Sequence, residues 1–155
     1  MENIRPLSPN GEIPYQLLLL ADPEREVIET YVKRCRCMVM ELDGQIIGAY
    51  LLLETRPATV ELMNIAVVES FQGRGYGKKM LRHAIDTAKH CGYKRIEVGT
   101  GNSSLNQLAL YQKYGFRITG IEHDYFSKNY SNIIIENGIQ CRDMIRMAQD
   151  LKDND

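Results

Sequence analysis

Three glycines fall within five residues in the run Gln72-Gly73-Arg74-Gly75-Tyr76-Gly77, and the run separates two segments of different period. Residues 59–68, before it, are apolar and read as a strand. After it, Met80, Leu81, Ala84, Ile85 and Ala88 recur at helical spacing, and Gly92 is placed to end the helix. Strand, glycine turn and helix in direct succession confine the chain to folds that mix helix with sheet. Glycine lets a backbone approach a ligand closely and take unusual dihedrals. The first turn of the following helix offers free N–H groups and the positive end of the helix dipole, a ready site for a pyrophosphate. Arg74, Lys78 and Lys79 add positive charge beside it. The plainer reading of the same residues is a tight connection without a ligand.

Two familiar phosphate loops do not fit. A Walker loop needs Lys-Ser/Thr after its last glycine, whereas Lys78-Lys79 follows Gly77. The dinucleotide fingerprint is G-x-G-x-x-G, whereas the spacing here is G-x-G-x-G, and no acidic ribose partner stands out after a second parallel strand.

The rest of the chain reads as one α/β domain, residues 1–155, with a mixed sheet. A short strand is expected over 3–7. Leucines and isoleucines at helical spacing, with glutamates between them, predict a helix over 17–35, and Asp22-Pro23 has the form of an N-cap followed by proline at the first helical position. The period then falls to two. Met38, Met40 and Leu42 alternate with Val39 and Glu41, and Asp43-Gly44 predicts a tight hairpin into a strand over 45–54. With a turn at Arg56-Pro57 and the strand at 59–68, the middle of the chain is an antiparallel meander. A strand over 94–99 follows the long helix. Ser104-Leu105-Asn106-Gln107 fits a capping box opening a helix to Tyr114, closed by Gly115. Strands are expected over 116–126 and 139–148, a polar aromatic loop over 127–138, and a frayed tail over 150–155.

Composition narrows the function classes. Lysine and arginine number 19 against 20 acids, a net charge of -1, and no tract is strongly basic, so no footprint for a nucleic-acid backbone is present. Cys35, Cys37, Cys91 and Cys141 make one C-x-C and no C-x-x-C, and His83, His90 and His123 add no ligand spacing, so no metal is expected. The cysteines read as reduced thiols. The N-terminus lacks the pattern of a signal peptide, and the longest aliphatic stretch, 17–21, is too short to span a bilayer, so a cytoplasmic location without membrane association is the default expectation.

The run at 72–77 matches the Q/R-x-x-G-x-G/A motif of the GNAT acetyltransferase family. It stands where that family has it, after an apolar strand carrying Ile65-Ala66-Val67 and before the long helix. Leu110-Tyr111-Gln112-Lys113-Tyr114-Gly115-Phe116 resembles the family's L-Y-x-x-x-G-F segment, and the element order matches over residues 13–151. The resemblance implies an acyl-CoA N-acyltransferase fold, α+β, with a mixed, mostly antiparallel central sheet flanked by helices. It implies acetyl-CoA as co-substrate and an amine as acceptor, with direct attack and no covalent enzyme intermediate. Backbone groups of Ile65, Ala66 and Val67 would bind the pantetheine arm, and the Val67 N–H would polarise the acetyl carbonyl. The turn Gln72, Gly73, Arg74, Gly75, Tyr76, Gly77, with Lys78, would hold the pyrophosphate. Tyr111 would protonate the departing thiolate, although a tyrosine on a helix face is also an ordinary core residue. The sequence departs from the family seven and four residues before that tyrosine, where asparagine and alanine are usual. Ser104 and Gln107 stand there, with Asn102 and Asn106 nearby, so the resemblance leaves open which polar side chain touches the pantetheine, Ser104 being one candidate.

Direct attack needs a neutral amine, hence a base. Glu61 is the first candidate, six residues before Val67 and so on the same face of a regular strand; the alternative is an exposed strand glutamate. Glu54, Glu97, Glu122 and Asp124 are the other acids near the expected cleft. Tyr125, Phe126, Tyr130 and Asn132, beside Glu122 and Asp124, would cradle a cationic acceptor if the loop at 126–138 lines the cleft rather than lying in solvent. The acceptor is a small-molecule or peptide amine, and the resemblance makes a homodimer possible, through sheet edges or C-terminal segments. The competing classes are a GNAT module that senses acyl-CoA or binds a peptide without turnover, and an acyltransferase for a longer acyl-CoA.

Overall fold

The computed structural model describes residues 1–152. Seven strands form one sheet in the order β1-β2-β3-β4-β5-β9-β6. They are β1 (Glu2–Pro6), β2 (Arg36–Leu42), β3 (Gln45–Arg56), β4 (Thr59–Val67), β5 (Arg95–Gly101), β6 (Arg117–Glu122) and β9 (Met144–Asp150). Every neighbouring pair is antiparallel except β4 and β5. Those two are joined by α3 (Tyr76–His90), which supplies the crossover that parallel pairing requires. The meander β2-β3-β4 forms as expected, and Asp43 and Gly44 turn β2 into β3 with φ of 49° and 85°, the two positive values of a tight hairpin turn.

The sheet has a core on each face. On one side α3 packs its expected stripe, Met80, Leu81, Ala84, Ile85 and Ala88, against Val60, Leu62, Ile96 and Val98. Phe116 and Tyr111, from α4 (Leu105–Lys113), close the far end of that core. On the other side Leu17, Leu18, Ile28, Tyr31 and Val32 cover Val39, Ala49, Leu51 and Ala66. Strands β2, β3 and β4 are therefore apolar on both faces, which is why 45–54 shows little alternation.

Several expected elements differ. The helix over 17–35 is broken into α1 (Tyr15–Leu18), α2 (Arg25–Glu29) and a 3-10 turn at Val32–Arg34. The apolar spacing is real and is buried as expected, but the chain must bend between Leu18 and Arg25 to follow the sheet. Asp22 does not cap α2; the N-cap position is Glu24, and the Asp22 carboxylate is held by tyrosines. Ser104 stands at the N-cap of α4 without a capping bond, so the capping box is not formed. The strand over 116–126 ends at Glu122 and turns through Asp124, at φ 60°, into α5 (Tyr125–Asn129). The loop over 127–138 holds the end of α5 and β7 (Ile135–Glu136), which pairs with β8 (Ile139–Gln140) across Asn137-Gly138. The strand over 139–148 is thus two elements, β8 and β9. Of the tail, Asp150 belongs to β9, and Leu151 is buried with its N–H on the Lys94 carbonyl at 2.8 Å. Residues 153–155 lie outside the described residues.

Candidate active site

β4 and β5 are paired only from Thr59 opposite Arg95 to Leu62 opposite Val98. Beyond that point β4 continues along β3 and β5 continues along β9, so the two strands diverge and β4 has a bare edge from Met63 to Val67. The ladder decides which groups that edge presents. The Val68 N–H donates to the Ile47 carbonyl at 2.8 Å, which makes 47 and 68 a hydrogen-bonded pair. Antiparallel pairs alternate between bonded and non-bonded. Ile65 and Val67, opposite Tyr50 and Gly48, therefore direct their N–H and C=O groups away from β3, into the gap. The Val67 carbonyl accepts a hydrogen bond from Gln72 Nε2 at 2.9 Å.

The glycine turn lies beside that edge. Gly73 and Gly75 have φ of 78° and 87°, and Gly75 is the N-cap of α3, with no side chain capping the helix. A Cβ at either glycine would meet no protein atom within 4 Å. Backbone conformation, not crowding by the protein, reserves these positions for glycine, and the space over the turn is open. The N–H groups of the first turn, from Tyr76 to Lys78, are the free donors of that helix end. Arg74 lies over the Phe71 ring at 5.4 Å, and Lys78 is exposed. Lys79, expected to charge the turn, is paired instead with Glu2 on β1.

Three adjoining cavities run from the turn through the gap. The first, about 360 Å³, is lined by Ile65, Ala66, Val67, Gln72, Gly73 and Gly77, with Tyr111 and Gln107. The second, about 340 Å³, passes between Leu62, Met63, Asn64 and Ile65 on β4 and Val98, Gly99 and Thr100 on β5, again with Tyr111. The third, about 330 Å³, opens under α5. Tyr111 is buried, its ring edge-on to Phe116 at 5.7 Å, and burial pushes its phenol up to about 12. Ser104 lines the second and third cavities, and its hydroxyl donates to Glu136 at 2.9 Å.

The expected acids separate. Glu61 lines the third cavity, but not on the face of Val67. The register of β4 shifts opposite Leu51 and Leu52, with Asn64 facing the first and Leu62 the second, so Met63 is an extra residue. That bulge reverses the alternation. Val60, Leu62, Ile65 and Val67 face α3, while Met63 and Ala66 face the other core and Glu61 lies on their side. Burial raises the Glu61 carboxyl above its ordinary range; Arg146, at 3.4 Å, works against that shift. Glu97 is also raised by burial, but hydrogen bonds from Arg95 and Arg56 outweigh this and hold it low. Glu122 is exposed on Arg146, Asp124 lies 3.8 Å from Arg142, and neither they nor Glu54 line the third cavity. Tyr125, Phe126 and Tyr130 do line it, and Asn132 does not. Sequence reasoning missed Asp22, Arg146 and Glu136, which share its wall, and Asn64, which lines the middle cavity. Asn64 alone carried a signal, a polar residue inside an otherwise apolar run.

Comparison with known proteins agrees with this geometry. Residues 10–116 match the model of the Acetyltransferase (GNAT) family. The chain is 53% identical over 142 residues to an uncharacterized N-acetyltransferase, YvbK, of Bacillus subtilis (strain 168), covering 92% of this chain and 91% of that one. An IAA acetyltransferase from Bacillus cereus ATCC 14579 is 58% identical with a TM-score of 0.92, over 97% of this chain and 100% of that one. A GNAT family acetyltransferase from Elizabethkingia anophelis with acetyl-CoA bound is 46% identical with a TM-score of 0.94, over 97% and 98% of the two chains. Among the described residues no helix is long and apolar enough to cross a membrane. The splayed β4–β5 edge, the glycine turn at the N-terminus of α3 and these matches together make the chain a member of the GNAT family of acetyltransferases.

Proposed function

We propose that the protein transfers the acetyl group of acetyl-CoA to a primary amine by direct attack. The observation that carries this reading is the continuity of the site: the bare edge of β4, the N-terminus of α3 and Tyr111 border one channel that leads to a separate acceptor cavity. The residues suit the co-substrate. Free N–H groups and open space at the glycine turn, Gln72 to Gly77, suit a pyrophosphate, with Arg74 and Lys78 as nearby charges. The outward groups of Ile65 and Val67, with Ala66 and Ser104 along the wall, suit the amides of a pantetheine arm. The relative from Elizabethkingia anophelis, of the same fold, has acetyl-CoA bound, which supports this co-substrate.

In this reading the amine enters from the third cavity and gives its proton to Glu61, whose carboxyl burial keeps receptive. Nitrogen then attacks the thioester carbonyl carbon. The Val67 N–H stabilises the negative charge that develops on the carbonyl oxygen. As the carbon–sulfur bond breaks, the Tyr111 hydroxyl donates its proton to the thiolate. The phenol stays protonated at neutral pH and so holds that proton until it is needed.

The test is chromatographic measurement of CoA formed from acetyl-CoA in the presence of polyamines, aminoglycosides, amino acids and short peptides. Turnover with one class establishes the reaction and its acceptor. Absence of acetyl-CoA binding in an equilibrium titration would overturn the reading.

A further inference from the structure

Around the acceptor cavity, every charged side chain but one has an opposite charge beside it or lies open to water. Glu61 and Glu122 share Arg146, and Arg34 and Glu136 are exposed. The exception is Asp22, on the loop between α1 and α2. It is 9% exposed and lines the cavity. Its carboxylate accepts hydrogen bonds from the hydroxyls of Tyr31 and Tyr130, both at 2.7 Å, and from the Glu24 N–H. Three donors favour the charged form, yet none carries a charge. Among the described residues no lysine, arginine or histidine forms an ion pair with Asp22. The Glu24 carboxylate adds repulsion. A carboxylate withdrawn from water without a counter-cation is costly, and burial accordingly pushes Asp22 above its ordinary range.

The same network includes Asn64. Asn64 Nδ2 donates to the Leu18 carbonyl at 3.1 Å and to the Tyr31 hydroxyl oxygen at 3.4 Å. Its Oδ1 is buried and has no donor, and Asn64 lines the middle cavity.

The aromatic wall shows what lies between the anions. Tyr125, Phe126 and Tyr130 form a cluster with ring centroids 5.1 to 6.5 Å apart. The Tyr125 phenol is pushed up by burial and, more weakly, by the charges of Asp22, Glu122 and Glu61, while Arg146, whose guanidinium lies 5.7 Å from the ring centroid, works against that shift. The charges that act most on Glu61 are those of Arg146, Glu97 and Glu122. Glu61 and Asp22 both line this cavity together with the rings of Phe126 and Tyr130, a surface suited to methylenes that end in a cation. An amine that must be neutral to attack has no use for a fixed anion; a second, unreacting ammonium does.

We propose that Asp22 anchors a second cation of the acceptor, so that the substrate class is a diamine, acetylated at one end while the ammonium at the other end rests on Asp22. This rests on the proposed function, in which Glu61 serves the reacting amine.

The experiment is calorimetric titration of the CoA-saturated protein with the diamines from 1,3-diaminopropane to 1,6-diaminohexane and with the n-alkylamines of equal length. At least one diamine is expected to bind about tenfold or more tightly than its monoamine, the effect of one hydrogen-bonded ion pair. Asp22→Asn removes that preference and leaves acetyl-CoA affinity unchanged. Tyr130→Phe removes a donor but keeps the charge, and it retains the preference even where Asp22→Asn fails to fold. Equal binding of diamines and monoamines, no binding of any diamine, survival of the preference in Asp22→Asn, or its loss in Tyr130→Phe each overturns the assignment. A protein that does not bind acetyl-CoA sinks the acetyltransferase reading; one that binds acetyl-CoA without preferring diamines sinks only the role of Asp22.

Discussion

Gln72 Nε2 donates to the carbonyl oxygen of Val67 at 2.9 Å, tying the first residue of the glycine turn to the last residue of β4. The bond satisfies a carbonyl on the bare edge and fixes the peptide unit next to the N–H assigned to the acetyl oxygen. Gln72→Ala should lower kcat/KM for acetyl-CoA by about five- to tenfold, the worth of one hydrogen bond. Thermal stability should barely change, because Gln72 is exposed. Steady-state kinetics and a melting curve check both halves, and an unaltered kcat/KM would remove the tie from the mechanism.

Gly75 separates backbone strain from ligand contact. At φ 87° an alanine is strained by about 1–2 kcal/mol, although its Cβ meets nothing in the protein. Gly75→Ala should lower Tm by a few degrees, roughly 2–4 °C per kcal/mol for a chain of this size. Gly75→Glu places bulk and negative charge where the pyrophosphate is proposed to lie, and acetyl-CoA binding should vanish. Retained affinity in an equilibrium titration argues against the phosphate turn.

Tyr111→Phe keeps the ring against Phe116 and removes only the hydroxyl. If that hydroxyl protonates the leaving thiolate, kcat should fall by about a hundredfold or more while the KM for acetyl-CoA moves little. A normal kcat would return Tyr111 to the role of a core residue.

If Glu61 is the base, it should set the acid limb of the pH–rate profile. The base works only when ionised, so activity should fall as pH drops through its raised pKa. Arg146 favours the ionised form from 3.4 Å. Arg146→Gln removes that cation, raises the Glu61 pKa further and should move the acid limb of kcat/KM to higher pH. Glu61→Gln should lower the rate and flatten that limb. An acid limb that stays put in both variants would assign the proton to another group or to water.

The sequence by itself determined the meander, the glycine turn, α3 and its buried stripe, and the two motifs that identify the family, because each is written in neighbouring residues. Helical spacing marked Leu17, Leu18, Ile28 and Tyr31 as apolar contacts but could not show that the helix breaks between them, since spacing records burial and not the bend that follows a twisted sheet. Asp22-Pro23 and Ser104–Gln107 have the local form of caps. Tyr31 and Tyr130 hold the Asp22 carboxylate and Glu136 holds the Ser104 hydroxyl, none of them adjacent in sequence. The tertiary structure alone decided which face Glu61 occupies. One extra residue at Met63 reverses the alternation of β4, and whether a strand bulges depends on the register its neighbour imposes. The acceptor cavity was the least legible part. Its walls come from the α1–α2 loop, β4, β5, α5 and β9, and the charge that distinguishes it is uncompensated only because, among the described residues, no cation pairs with Asp22.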